Sequence, residues 1–130
     1  MKLSDWESVF RVSTEILGIG NPYPKKSDTW CSWTTFGRLE EDSGYWTSGL
    51  PNNNDIGRTF IRDNGVWLQP FLYEDIAHLI IPKEFSWETI DKEGYESGTK
   101  TQDIEKLSYE FNKLGIKHNL SKYCLDFKIF

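Results

Sequence analysis

The run Gly18-Ile19-Gly20-Asn21-Pro22-Tyr23-Pro24 constrains this chain more than any other stretch. Glycine weakens a helix through backbone entropy, and proline removes a backbone donor, so no helix passes through it. Before it, Trp6, Val9, Phe10, Ser13, Ile16 and Leu17 share one stripe at helical spacing, which predicts a helix over 5–17. Ser4 and Glu7 have the spacing of a capping box at its start. The Gly-Ile-Gly follows the helix instead of opening it, which excludes a phosphate-cradling loop.

Beyond the break the pattern becomes that of strands. "TWCSWTTF" (29–36) and "GYWTSGL" (44–50) are aromatic and β-branched, and an acidic, glycine-containing segment separates them. Asn64-Gly65 accepts positive φ at both centres of a tight turn, predicting that 60–62 pairs antiparallel with 66–68. Pro70 donates no ladder bond and so marks an edge or a bulge. The apolar run 76–81 reads as a strand ended by Pro82, and the polar "LPNNNDIG" (50–57) as a loop. Residues 82–100 read as irregular, with a short strand near 85–90. A second helix is expected over 102–114, capped by Thr99 or Thr101, with Ile104, Leu107, Phe111 and Leu114 on its buried stripe and Gly115 as its stop. In "YCLDFKIF", Tyr123, Leu125, Phe127 and Ile129 alternate with Cys124, Asp126 and Lys128, the period of a last strand. The expected fold is one α+β domain over 1–130: an antiparallel meander sheet, an N-terminal and a C-terminal helix on one face, and a final strand at the C-terminus. A chain of 130 residues buries about two-thirds of its unfolded surface, enough for one core without disulfides or metal.

Charge is unevenly placed. Residues 1–105 carry 10 basic and 18 acidic side chains, whereas 106–130 carry 5 and 2. An acidic body disfavours direct nucleic-acid binding, where phosphates need Lys and Arg, and suits a basic protein partner. No run approaches membrane-spanning length, and the N-terminus lacks the apolar core of a signal peptide, so a cytoplasmic location with reduced Cys31 and Cys124 is expected.

Motifs for catalysis are missing. His78 and His118 lie far apart with no ligand spacing, so no metal or cofactor is expected. There is no nucleophile elbow or Walker loop. Glu40, Glu41, Asp42, Glu74 and Asp75 are the carboxylates a glycosidase could pair, but acids in a Gly/Ser-flanked turn are ordinarily solvated. The chain is therefore read as a binding protein and not an enzyme. Two stretches mix acids with aromatics, the composition of a charge-steered interface. They supply the candidate contacts Glu40, Glu41 and Asp42, and Trp87, Glu88, Asp91, Glu93 and Glu96, with Trp87 as aromatic anchor. A nuclease, whose site must attract phosphates, is the kind of basic partner that fits. The alternative is a carbohydrate-binding domain or small glycosidase stacking sugars on Trp33, Trp46 or Trp67, and a third is a subunit that dimerises through its aromatic face.

Three stretches carry a likeness to a known group: "SDWESVFRVSTEIL", "PFLYEDIAHLIIP" and "LSYEFNKLGIKHNLSKYCLDFKIF". Through them the chain resembles small cytoplasmic immunity proteins of bacterial contact-dependent growth inhibition and related polymorphic toxin systems. The resemblance implies binding and neutralising one cognate toxin domain. It carries no catalytic residue with it.

Overall fold

A computed structural model describes residues 1–63 and 70–130. Helix α1 (Leu3–Leu17) buries Trp6, Val9, Phe10 and Ser13, the stripe read from the sequence. It starts earlier than expected: Asp5, not Glu7, closes its first turn, accepting the Lys2 N–H at 3.1 Å, while Ser4 lies inside the helix. It ends at Gly18, whose N–H donates to Thr14 O.

Strands β1 (Cys31–Thr35) and β2 (Trp46–Ser48) pair antiparallel, joined by a short helix α2 (Phe36–Glu40). The chain then forms a two-stranded ribbon of β3 (Phe60–Arg62) and β4 (Pro70–Leu72). It returns as β5 (Ile76–Pro82), leaves again as a longer ribbon of β6 (Glu84–Asp91) and β7 (Gly94–Thr101), and forms helix α3 (Ile104–Lys113). The short β8 (Asn119–Leu120) and β9 (Cys124–Lys128) close it. The architecture is α+β, with a five-stranded, wholly antiparallel sheet in the order β2-β1-β5-β9-β8. Its strands do not follow chain order, because both ribbons branch off and β9 docks beside β5.

Alternation assigns the faces. Cys31, Trp33, Leu79, Ile81, Leu125 and Phe127 are buried together on one side. Phe127 meets Trp6 of α1 at 6.0 Å and Phe111 of α3 at 5.2 Å between ring centroids, so both helices cover that same side. Cys124 has the opposite parity to Leu125, which keeps it on the other face from buried Cys31, and both thiols are free. Burial pushes the Cys31 thiol well above its ordinary range.

Several local expectations change. Phe60–Arg62 pairs with Pro70–Leu72. Their expected partner 66–68 and the Asn64-Gly65 turn lie outside the described residues. Pro70 does stand in an edge strand. Helix α3 is capped by Asp103, which accepts the Lys106 N–H at 3.0 Å; Thr99 and Thr101 belong to β7 instead. At its end Ile116 N–H reaches Phe111 O and Gly115 N–H reaches Asn112 O, a Schellman closure that leaves Leu114 exposed and Ile116 buried. Residues 84–101, expected to be mostly irregular, form eight continuous antiparallel pairs from Glu84↔Thr101 to Asp91↔Gly94. Lys92-Glu93 makes the two-residue turn, and Gly94 supplies the φ of 118° that a side chain would resist.

Gln102 ties this ribbon to the sheet. Its side chain is buried, accepts the Trp30 N–H at 3.0 Å, and donates to Trp30 O at 2.9 Å and Pro82 O at 2.8 Å. Gln102→Ala strands these backbone groups and is expected to cost about 2–3 kcal/mol. Hydrogen exchange should show protection lost first over 84–101; uniform loss across the sheet would remove this role. No helix among the described residues is long and apolar enough to cross a membrane.

Candidate partner-binding surfaces

The acidic turn after α2 is built from the inside. Thr35 Oγ1 caps α2 by accepting the Arg38 N–H. Arg38 then folds back, donating through Nε to Gly44 O at 3.1 Å and through Nη2 to Ser43 O at 2.9 Å. Thr34 Oγ1 donates to Gly44 O as well. Asp42 takes φ 54°, a left-handed conformation that Asp tolerates. With the turn's carbonyls satisfied by Arg38 and Thr34, Glu40, Glu41 and Asp42 are exposed and form no ion pair among the described residues. Phe36 and Leu39 on α2 are 43% and 38% exposed beside them. This is a fixed acidic rim next to apolar contact area.

The tryptophans of the same stretch have other work. Trp33 is fully buried against Phe71, and Trp46 packs on the same ring from the core edge. Trp30 stacks on Phe85 of β6 at 5.8 Å. A buried Trp33 cannot serve as a sugar platform, which corrects that part of the carbohydrate reading. Trp67 lies outside the described residues.

The second acidic cluster is on the β6–β7 ribbon, whose two faces differ. One face carries Phe85, Trp87 and Thr89 opposite Lys100, Gly98 and Glu96. Lys25, in a one-turn 3-10 helix (Pro24–Lys26), lies across it: its Nζ is 5.1 Å from the Trp87 ring and 2.9 Å from Glu96 Oε2. Lys100 Nζ donates to Lys25 O and Ser27 O, both at 2.7 Å. Trp87 also lies directly over Gly98, where an added Cβ would come within 2.7 Å of the indole. Trp87 is thus half-buried between Gly98 and Lys25, a poor position for the expected anchor. The hydrogen bond from Lys25, then its charge, holds the Glu96 carboxyl below the ordinary range. The other face shows Glu88, Ile90 and Tyr95, with Tyr95 OH donating to Glu88 Oε2 at 2.9 Å. At the tip, Asp91 Oδ1 accepts the Glu93 N–H, and Glu93 is exposed.

The two clusters are not brought together. Ile76 opens β5 opposite Thr35, the residue before α2, and Pro82 ends it at the base of β6. Seven residues of strand, about 20 Å, separate the α2 turn from the base of the ribbon. Glu74 and Asp75, exposed in the turn before β5, are at the α2 end with Glu40, Glu41 and Asp42.

Two polar chains escaped the sequence reading because their members are far apart in it. On the sheet face away from the helices, His78 Nε2 donates to Asp126 Oδ2 at 2.7 Å and Nδ1 meets Tyr45 OH at 2.7 Å, with Phe130 edge-on to the ring. Near the end of α3, His118 Nδ1 donates to Ile116 O, and Nε2 meets Ser108 Oγ at 2.6 Å. Both Ser108 and the His118 ring, which packs on Phe111, are tied into the core edge. A cleft of about 780 Å³ between α1, α3 and β9 is lined by Asp5 as its one acid, with Lys117, His118 and Lys128, so it offers no carboxylate pair. Among the described residues, no three His, Cys, Asp or Glu are grouped to hold a metal ion. No family model, curated protein or solved structure matches the chain.

Proposed function

We propose that the protein is an immunity protein: it binds a basic toxin domain, most simply a nuclease, and occludes the toxin's active site. The observation that carries this reading is the acidic turn Glu40-Glu41-Asp42. Its backbone is held by Arg38 and Thr34, while its carboxylates have no lysine or arginine partner among the described residues. Exposed carboxylates are ordinarily unpaired, so what marks this turn is three adjacent acids on a backbone that is itself held. These are presented outward on a rigid loop, which lowers the ordering cost of binding. Exposed Phe36 and Leu39 add desolvatable area, and the acids steer approach. Covering a nuclease's phosphate-binding site with carboxylates would exclude substrate by occupancy and by charge.

The test pairs this chain with a large secreted protein encoded immediately upstream, whose absence would count against the reading. Expressed inside cells, the C-terminal domain of that protein should arrest growth, and co-expression of this chain should restore it. Growth arrest that persists at equal expression of the two would overturn the reading.

A further inference from the structure

On the outer face of the β6–β7 ribbon, Ile90 and Tyr95 stand directly opposite one another at 81% and 60% exposure. Neither is needed by the fold: the ribbon is stapled to the body through its other face by Phe85, Trp87 and Lys100. A cross-strand apolar pair left in water on a rigid ribbon is contact area without a contact. Beside it, a shallow groove of about 500 Å³ runs past Glu88 and Tyr95, with Ser86, Ser97 and Thr99 along it. The Tyr95–Glu88 hydrogen bond fixes an aromatic ring and a carboxylate side by side, leaving Glu88 Oε1 without a partner among the described residues.

We infer that this face reads an arginine side chain of a basic partner. A guanidinium is flat enough to lie on the Tyr95 ring, and its N–H fork reaches a carboxylate held at the ring's edge. The methylenes of the same arginine would cover Ile90. At the tip, Asp91 and Glu93 add negative charge against Lys92 alone, whereas Glu84, at the base, lies beside Lys83 and Lys122. A lysine ammonium satisfies the charge but neither stacks flat nor forks. The anchor of the ribbon is therefore the Tyr95–Glu88 pair with Ile90, and not Trp87. This deepens the basic-partner reading by naming the group recognised, and it rests on that reading.

The experiment needs no toxin. The ¹⁵N-labelled full chain is titrated with an arginine-rich nonapeptide and with its lysine counterpart of equal charge. Amide shifts should move over 86–99, and the arginine peptide should bind about fivefold or more tightly than the lysine peptide. Tyr95→Ala and Glu88→Gln should each remove most of that preference, and Tyr95→Phe should keep part of it. Each variant's amide spectrum verifies its fold. Equal affinities for the two peptides, shifts centred on the α2 turn, or no binding would overturn the inference. If growth rescue fails while arginine preference persists, the immunity reading fails and the groove stands. If rescue succeeds without arginine preference, the groove alone is lost.

Discussion

Phe127→Ala should cost the protein a large share of its stability. Phe127 is the point at which the sheet touches both helices: Trp6 of α1, Phe111 of α3 and the His118 ring all lie within 6.0 Å of its centroid. Truncation leaves a cavity bounded by three aromatic rings that cannot collapse without moving two helices. A loss of about 3–5 kcal/mol is expected, a large fraction of the roughly 5–15 kcal/mol that holds a domain together. Denaturant unfolding followed by circular dichroism would measure it. A midpoint close to that of the unmutated chain would show that the helices hold the sheet by other contacts.

That much of the core was legible, and the reason is periodicity. Trp6, Val9 and Phe10, then Leu107 and Phe111, then Leu125 and Phe127 each mark a face buried over successive periods, so their spacing announces helix or strand. The β6–β7 ribbon hid because only Phe85 and Trp87 of β6 turn toward the body, while β7 presents mainly Ser, Thr, Gly and charge. A two-stranded ribbon with one half-covered face leaves a faint alternation. Helix α2 is five residues long, too short for any period to appear. Gln102 carries no local signal at all, since its partners Trp30, just before β1, and Pro82, the end of β5, lie far from it in sequence. Of the site, the acids were visible as composition. Their freedom from internal pairing was not, because it depends on Arg38 being spent on backbone carbonyls. That Trp87 is packed by the fold itself was hidden for a related reason: Gly98 and Lys25, which cover its ring, carry no local signal of doing so.

If the proposed function holds, reversing Glu40, Glu41 and Asp42 to lysine should slow association with the basic partner by about 10-fold to 100-fold at low salt. All three residues are exposed and outside the core, and lysine in the left-handed position of Asp42 costs only about 1–2 kcal/mol, so the variant should still fold. The change is a swing of six charges on one turn. The logarithm of the on-rate plotted against ionic strength should flatten, since screening then has less attraction to remove. Dissociation should change less, because the exposed apolar area of Phe36 and Leu39 is untouched. Stopped-flow measurements across a salt series would separate the two effects. An on-rate unchanged at every salt concentration would exclude this turn from the interface.

The length of β5 between the α2 turn and the ribbon also sets how perturbations combine. Sites that far apart, sharing no side-chain partner, do not feel each other's substitutions. Free-energy losses from lesions at the two ends should therefore simply sum in the double variant. A toxin gripping both ends must reach along the whole strand, and one that grips a single end leaves the other available to a different molecule.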